Sequence, residues 1–72
     1  MGRTAERPGD RVEADLRRRL AAAEWQPGEA LPTVARLAAH YETSPGVISR
    51  VLRRLEADGL VQVVPRWGTF RR

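Results

Sequence analysis

Residues 31–70 read LPTVARLAAHYETSPGVISRVLRRLEADGLVQVVPRWGTF. Val34, Leu37, Ala38 and Tyr41 recur at i, i+3, i+4 and i+7, which is one face of a short helix, and Thr33 stands where its N-cap belongs. Position 36 is Arg where a capping box would place Glu, so this start is the weaker kind. His40, at the helix end, is expected to help satisfy the last carbonyls and is given no chemistry. Glu42-Thr43 forms a turn. Ser44 then caps a further helix with Pro45 at its first position, where the missing N–H had no partner to lose. Ile48, Val51, Leu52 and Leu55 form the inward stripe of that helix, leaving Gly46, Ser49, Arg50, Arg53 and Arg54 outside. Asp58-Gly59 ends it, with Gly59 at the position after the cap. Leu60 to Val64 is rich in β-branched residues, Pro65-Arg66-Trp67 makes a tip, and Gly68-Thr69-Phe70-Arg71 returns. Two helices joined tightly and followed by a hairpin are the order of a helix-turn-helix with an appended wing.

Upstream, Met1 to Gly9 is polar and is expected to be a loose arm, with the folded domain spanning residues 10–72. Asp10 is expected to cap the first helix, with Glu13 three residues on as its capping-box partner. Val12, Leu16 and Leu20 make the apolar stripe, and Ala23 is expected to continue it. Trp25 is read as a core plug beneath the Gln26-Pro27-Gly28 turn. A two-stranded hairpin cannot stand alone, so it should dock through Leu60, Val61 and Phe70. The expected fold is mainly α with a small β-hairpin. It is a winged helix-turn-helix of three helices plus wing, with room for a short strand near Glu29 to Leu31.

Composition bounds the chemistry. Seventy-two residues make one domain near the lower size limit for a core without staples. There is no cysteine and one histidine, which leaves no cysteine set and no histidine set for a metal, and no cofactor is expected. No run approaches the ~18 apolar residues of a membrane helix, so a soluble, cytoplasmic protein is expected. No glycine-rich phosphate loop follows a strand, and no serine, histidine and acid fall into a catalytic arrangement. The expectation is a binding protein and not an enzyme.

All 13 basic residues are arginine, a usage that GC-rich coding explains as readily as function does. Their placement says more. Up to Ser49 seven arginines face seven acids; from Arg50 onward six arginines face only Glu56 and Asp58, so the net charge of +4 sits on the last helix and hairpin. Such a surplus suits a phosphate-binding face as well as a merely solvated one. Ser44, Pro45, Gly46, Val47 and Ser49 surround the start of that helix. They are small, which allows close backbone approach but little direct base readout, since strong base pairings need Arg, Lys, Asn or Gln. Arg50 and Arg53 share a face, so one could reach a base edge and the other a phosphate; Arg54 is left open between contact and solvent. Arg66 at a hairpin tip suits a narrow, electronegative minor groove. Trp67 is expected to fold back over apolar surface.

The chain resembles the DNA-binding domain of the GntR family of bacterial transcription regulators over roughly residues 10–71. Pro27-Gly28, Leu31-Pro32-Thr33, Leu37-Ala38, Ser44, Leu52 with Leu55, Gly59-Leu60-Val61 and Gly68-Thr69-Phe70 carry the resemblance. It implies a regulator, in the main a repressor, that binds double-stranded operator DNA as a homodimer on palindromic half-sites. The expected contact set is Thr33, Arg36, Ser44, Pro45, Gly46, Val47, Ser49, Arg50, Arg53, Arg66, Trp67, Gly68 and Thr69. Departures fall on reading positions. The family's arginine in LPSERELA is Ala35 here, and Arg36 replaces a glutamate. Its Gly-Val-Ser-Arg is Glu42-Thr43-Ser44-Pro45, a later arginine is Ser49, and its first wing glycine is Arg66. Affinity is therefore either carried by shifted arginines or lost, the second case leaving a winged-helix protein-interaction module. A third reading is an excisionase-like architectural protein. Family members also carry a larger C-terminal metabolite-binding domain. The chain reads as a one-domain member or as a fragment, and no metabolite site is expected within it.

Overall fold

Pro8 opens the first helix, three residues ahead of the start expected from an Asp10 cap. The structure, a computed structural model, describes residues 7–72, and the arm expected over Met1 to Gly9 lies outside them up to residue 6. Helix α1 runs Pro8–Ala21, α2 Val34–Tyr41 and α3 Pro45–Ala57; strands β1 and β2 are Val61–Val64 and Gly68–Arg71. Asp10 is not the N-cap of α1. It sits one turn inside, where its carboxylate accepts the Arg7 N–H at 3.1 Å. Proline at the first position, with an acid two residues later near the positive end of the helix dipole, outweighs the Asp10–Glu13 pattern.

The stripe of α1 is Val12, Leu16 and Leu20, all buried, and it meets Leu37, Ala38, Ile48, Val51, Leu52, Leu55 and Val61 in one core. Ala23 does not continue the stripe. It is exposed and adopts the left-handed conformation (φ 59°), because α1 has already closed. The Glu24 N–H bonds the Arg19 carbonyl at 3.1 Å and the Ala23 N–H bonds that of Leu20 at 3.0 Å, the two bonds of a Schellman end. Trp25 is buried as expected, capping the core with the Arg19 guanidinium 4.8 Å from its ring centre.

Thr33 caps α2 by accepting the Arg36 N–H at 3.1 Å, and Ser44 caps α3 by accepting the Val47 N–H at 3.2 Å. The end of α2 is met by the backbone of Glu42 and Thr43, not by His40. The His40 ring stands edge-on to Tyr41 instead, with centroids 4.7 Å apart. Glu42 turns the chain in the left-handed region (φ 54°). Gly59, with φ 80°, ends α3 through the bonds Gly59 N–H to Glu56 O and Leu60 N–H to Leu55 O.

The strands pair antiparallel in the register Val61↔Arg71 to Val64↔Gly68. Beside β2 lies the short strand expected near Leu31, reduced to one bridge between Ala30 and Phe70. Gly28 N–H to Arg71 O, Arg71 N–H to Glu29 O and Leu31 N–H to Thr69 O stitch it down. Val61 docks the hairpin on the core, helped by the partly buried Leu60 and Val63, while Phe70 is only half-buried. The wing is thus fixed at its base from two sides and projects only its tip.

Candidate nucleic-acid interface

The start of α3 is held by its own cap, and Ser44, Pro45, Gly46 and Ser49 are exposed there. Val47 is not on that surface. Its side chain packs against the core, and a Cβ added to Gly9 would lie 3.6 Å from Val47 and 3.2 Å from Val51. The missing side chain of Gly9 lets α1 close on α3, and Val47 is spent on that contact.

Eight of the arginines fall into two sets of four. On the α1 side, Arg17 bridges Glu13 at 2.8 Å and Asp58, and Arg54 reaches from α3 to Glu13 at 3.0 Å. Arg19 binds Glu24 at 2.6 Å and donates to the Tyr41 hydroxyl at 2.9 Å, and Tyr41 donates in turn to Asp15 at 2.5 Å. Arg18 pairs with Asp15. Hydrogen bonds from Arg17 and then Arg54 hold the Glu13 carboxyl below the usual range; Tyr41 does the same to Asp15, and Arg19 to Glu24. Burial first, then the Asp15 contact, pushes the Tyr41 phenol up. Each exposed pair is worth only ~0–1 kcal/mol, so the consequence is chiefly one of placement: these cations are neutralised locally.

The second set is Arg36 on α2, Arg50 and Arg53 on α3, and Arg66 on the wing. All are exposed, and none makes an ion pair among the described residues. The two acids that follow Arg50 in the chain are engaged elsewhere: Glu56 accepts the Val63 N–H at 3.0 Å and Asp58 pairs with Arg17. Arg7 lines the same shallow groove as Arg50 and Arg54. It was not among the expected contacts, and its signal was the Pro8 start that places it beside α3.

At the wing, the Trp67 N–H closes a turn onto the Val64 carbonyl at 3.0 Å, with Pro65 leading and Arg66 at φ 72°. Proline followed by a left-handed residue is the pattern of a type II turn, which asks for glycine at that second place. Trp67 does not fold back: it is 79% exposed. The turn carries the indole out at the tip, away from the buried Val61 at the base of the hairpin. Thr69, expected at the interface, is buried, and its carbonyl serves Leu31. Thr33 and Gly68 are exposed. Their neighbours Arg36 and Arg66 carry the charge at those two places.

Among the described residues no helix is long and apolar enough to cross a membrane, and no cluster of side chains could hold a metal ion. The fold is that of known DNA-binding domains. A transcriptional regulator from Oenococcus oeni superposes with TM-score 0.81 at 24% identity, covering 99% of this chain and 60% of that one. A GntR family regulator from Listeria monocytogenes gives 0.86 at 18%, covering 97% and 61%. The DNA-binding domain of AraR in complex with operator ORE1 gives 0.92 at 20%, covering 100% and 89%. The chain thus spans about three-fifths of the length of the first two. No match is found among curated protein sequences. The profile described as "Bacterial regulatory proteins, gntR family" matches residues 8–70. That match covers every helix and all but the last residue of the wing, and the chain belongs to the gntR family of bacterial regulatory proteins, as its winged helix-turn-helix DNA-binding domain.

Proposed function

We propose that this domain represses transcription by binding double-stranded operator DNA, with the start of α3 in the major groove and the wing at the adjacent minor groove. The observation that carries the reading is the sorting of the arginines. Arg17, Arg18, Arg19 and Arg54 are tied to acids, while Arg36, Arg50, Arg53 and Arg66, on the elements a winged helix presents to DNA, are left for phosphate and base. Arg50 is the residue assigned to a base edge, Arg53 and Arg36 to the backbone, and Arg66 to the minor groove. Ser44, Pro45, Gly46 and Ser49 let the α3 backbone come close. The AraR domain in complex with its operators is the structural precedent for the docking. A homodimer on a palindromic operator follows from the family, as does a role as a binding domain without catalysis and without a metabolite site of its own.

Gel shifts across a salt series test this directly: binding must weaken steeply as salt rises. A second reading, a winged helix turned to protein docking, draws on the exposure of Trp67. It predicts no shift on any duplex at low salt.

A further inference from the structure

Trp67 is the one large hydrophobic side chain that stands exposed among the described residues. Its position is imposed by structure. Pro65 fixes the entry to the turn, the Trp67 N–H to Val64 O bond closes it, and the hairpin base is tied to residues 28–31. Arg66, immediately before it, holds a left-handed conformation that glycine would adopt without strain. Strain kept at a tip points to a task for the side chains there. Neither wing strand contains an acid, and the nearest acids in sequence, Glu56 and Asp58, are occupied. A single indole flanked by arginine does not match an apolar protein surface, which would have to desolvate the cation. It does match a polyanion with stacked aromatic rings inside.

We propose that Trp67 is a wedge: the wing enters the minor groove with Arg66 on its acidic rim and Trp67 pressing between adjacent base pairs, so that the domain kinks its DNA. This rests on the DNA-binding reading above and adds to it a source of specificity. Apart from Arg50, the start of α3 offers small side chains that read few base edges, so part of the discrimination passes to the step that unstacks most easily. Pyrimidine–purine steps, TA above all, yield most readily to such insertion, and an A-tract resists it. The wing thereby selects by deformability and not by hydrogen-bond pattern.

The test compares alternating poly(dA-dT) duplex, which offers TA steps throughout, with the poly(dA)·poly(dT) duplex, which has none. Wild type and Trp67→Ala are titrated with each at low salt, following affinity by gel shift and indole emission by fluorescence. Trp25 is buried and common to both proteins, so the difference between them isolates Trp67. Because Trp67 is exposed, the variant keeps its fold, which far-UV circular dichroism verifies. The wedge predicts strong quenching of Trp67 by the alternating duplex and little by the homopolymer. It also predicts that Trp67→Ala loses roughly tenfold in affinity for the alternating duplex while binding the homopolymer as before. Trp67→Phe should keep most of the affinity for the alternating duplex. Binding of both duplexes without quenching, or an equal loss on both, overturns the wedge and leaves DNA binding standing. Stronger quenching by single-stranded poly(dT) than by either duplex also overturns it, in favour of a stacking platform. Failure to bind any of them removes the DNA-binding reading itself.

Discussion

The guanidinium of Arg54 on α3 lies 3.0 Å from the carboxylate of Glu13 on α1, and this contact divides the arginines of α3 by task. Arg54 belongs to the packing of α3 on α1. Arg50 and Arg53 on the same helix are exposed and form no ion pair among the described residues.

Substitution along α3 should therefore separate affinity from stability. Arg50→Ala should cost about 1–3 kcal/mol of DNA binding and relax sequence preference, as expected for a bidentate base contact, with the melting temperature little changed. Arg54→Ala should cost about 0.5–1 kcal/mol of stability, discounted for its half-exposed side chain, with affinity little changed. Binding titrations on a specific and a scrambled duplex, run beside thermal melts, check both. Arg18→Ala, on the far side of α1, serves as the control.

Arg66 stands in a backbone conformation suited to glycine. Arg66→Gly should raise stability by about 0.5–1 kcal/mol, or a few degrees of melting temperature for a domain of this size. The same change should weaken DNA binding evenly across sequences, since the minor-groove code is degenerate. A variant that gained stability and lost no affinity would show that the wing arginine is idle.

Ala23 poses the same backbone question away from the proposed interface. It occupies the left-handed position of a Schellman end (φ 59°), where glycine is the favoured residue. Ala23→Gly should stabilise by roughly 0.5–1 kcal/mol and leave DNA affinity untouched. Thermal denaturation reads the first and gel shift the second.

Acid should destabilise the fold through the carboxylates of α1. The pKa values of Glu13 and Asp15 are depressed in the folded chain by hydrogen bonds from Arg17 and Tyr41 respectively. Their contribution is therefore complete above the unfolded carboxylate range near pH ~4 and is lost as pH falls below it, through the folded values. Melting temperature should be flat from neutrality to about pH 5 and then fall. Glu13→Gln should lower the plateau and make the acid limb shallower; an unchanged limb would remove Glu13 from the account.

The fold was largely legible because its signals repeat. Val12, Leu16 and Leu20, and then Ile48, Val51, Leu52 and Leu55, mark two buried faces by helical period alone. Capping residues place the start of α3 firmly and that of α2, which lacks a capping-box acid, less so. At α1 two start signals compete, Pro8 and Asp10, and local pattern does not rank them. On β2 the alternation was read one residue out. Phe70 looks like the inward residue, but Thr69 is the buried one, between β1 and the edge pairing of residues 28–31. Trp67 differs from expectation for another reason: apolarity argues for burial, while the position of the ring is decided by the turn that carries it to the tip.

The site was legible as a region and less so as a set of side chains. Charge counting located the surplus from Arg50 onward. It could not show that Arg54 is tied to Glu13, a partner 41 residues away, or that Asp58 is occupied by Arg17. Backbone conformation carries the other lesson. Glu42 and Arg66 stand where the family resemblance places glycines, and both keep positive φ. At these two places the backbone takes a conformation that glycine favours although the residue is not glycine.

The salt dependence of DNA binding tests the central claim most directly. If Arg36, Arg50, Arg53 and Arg66 face the duplex, the logarithm of the binding constant should fall against the logarithm of salt with a slope of about −3 to −4 per chain. Arg53→Ala should reduce that slope by about 1, and Arg17→Ala should leave it unchanged. A slope near zero, or equal reductions from Arg17→Ala and Arg53→Ala, would contradict the account.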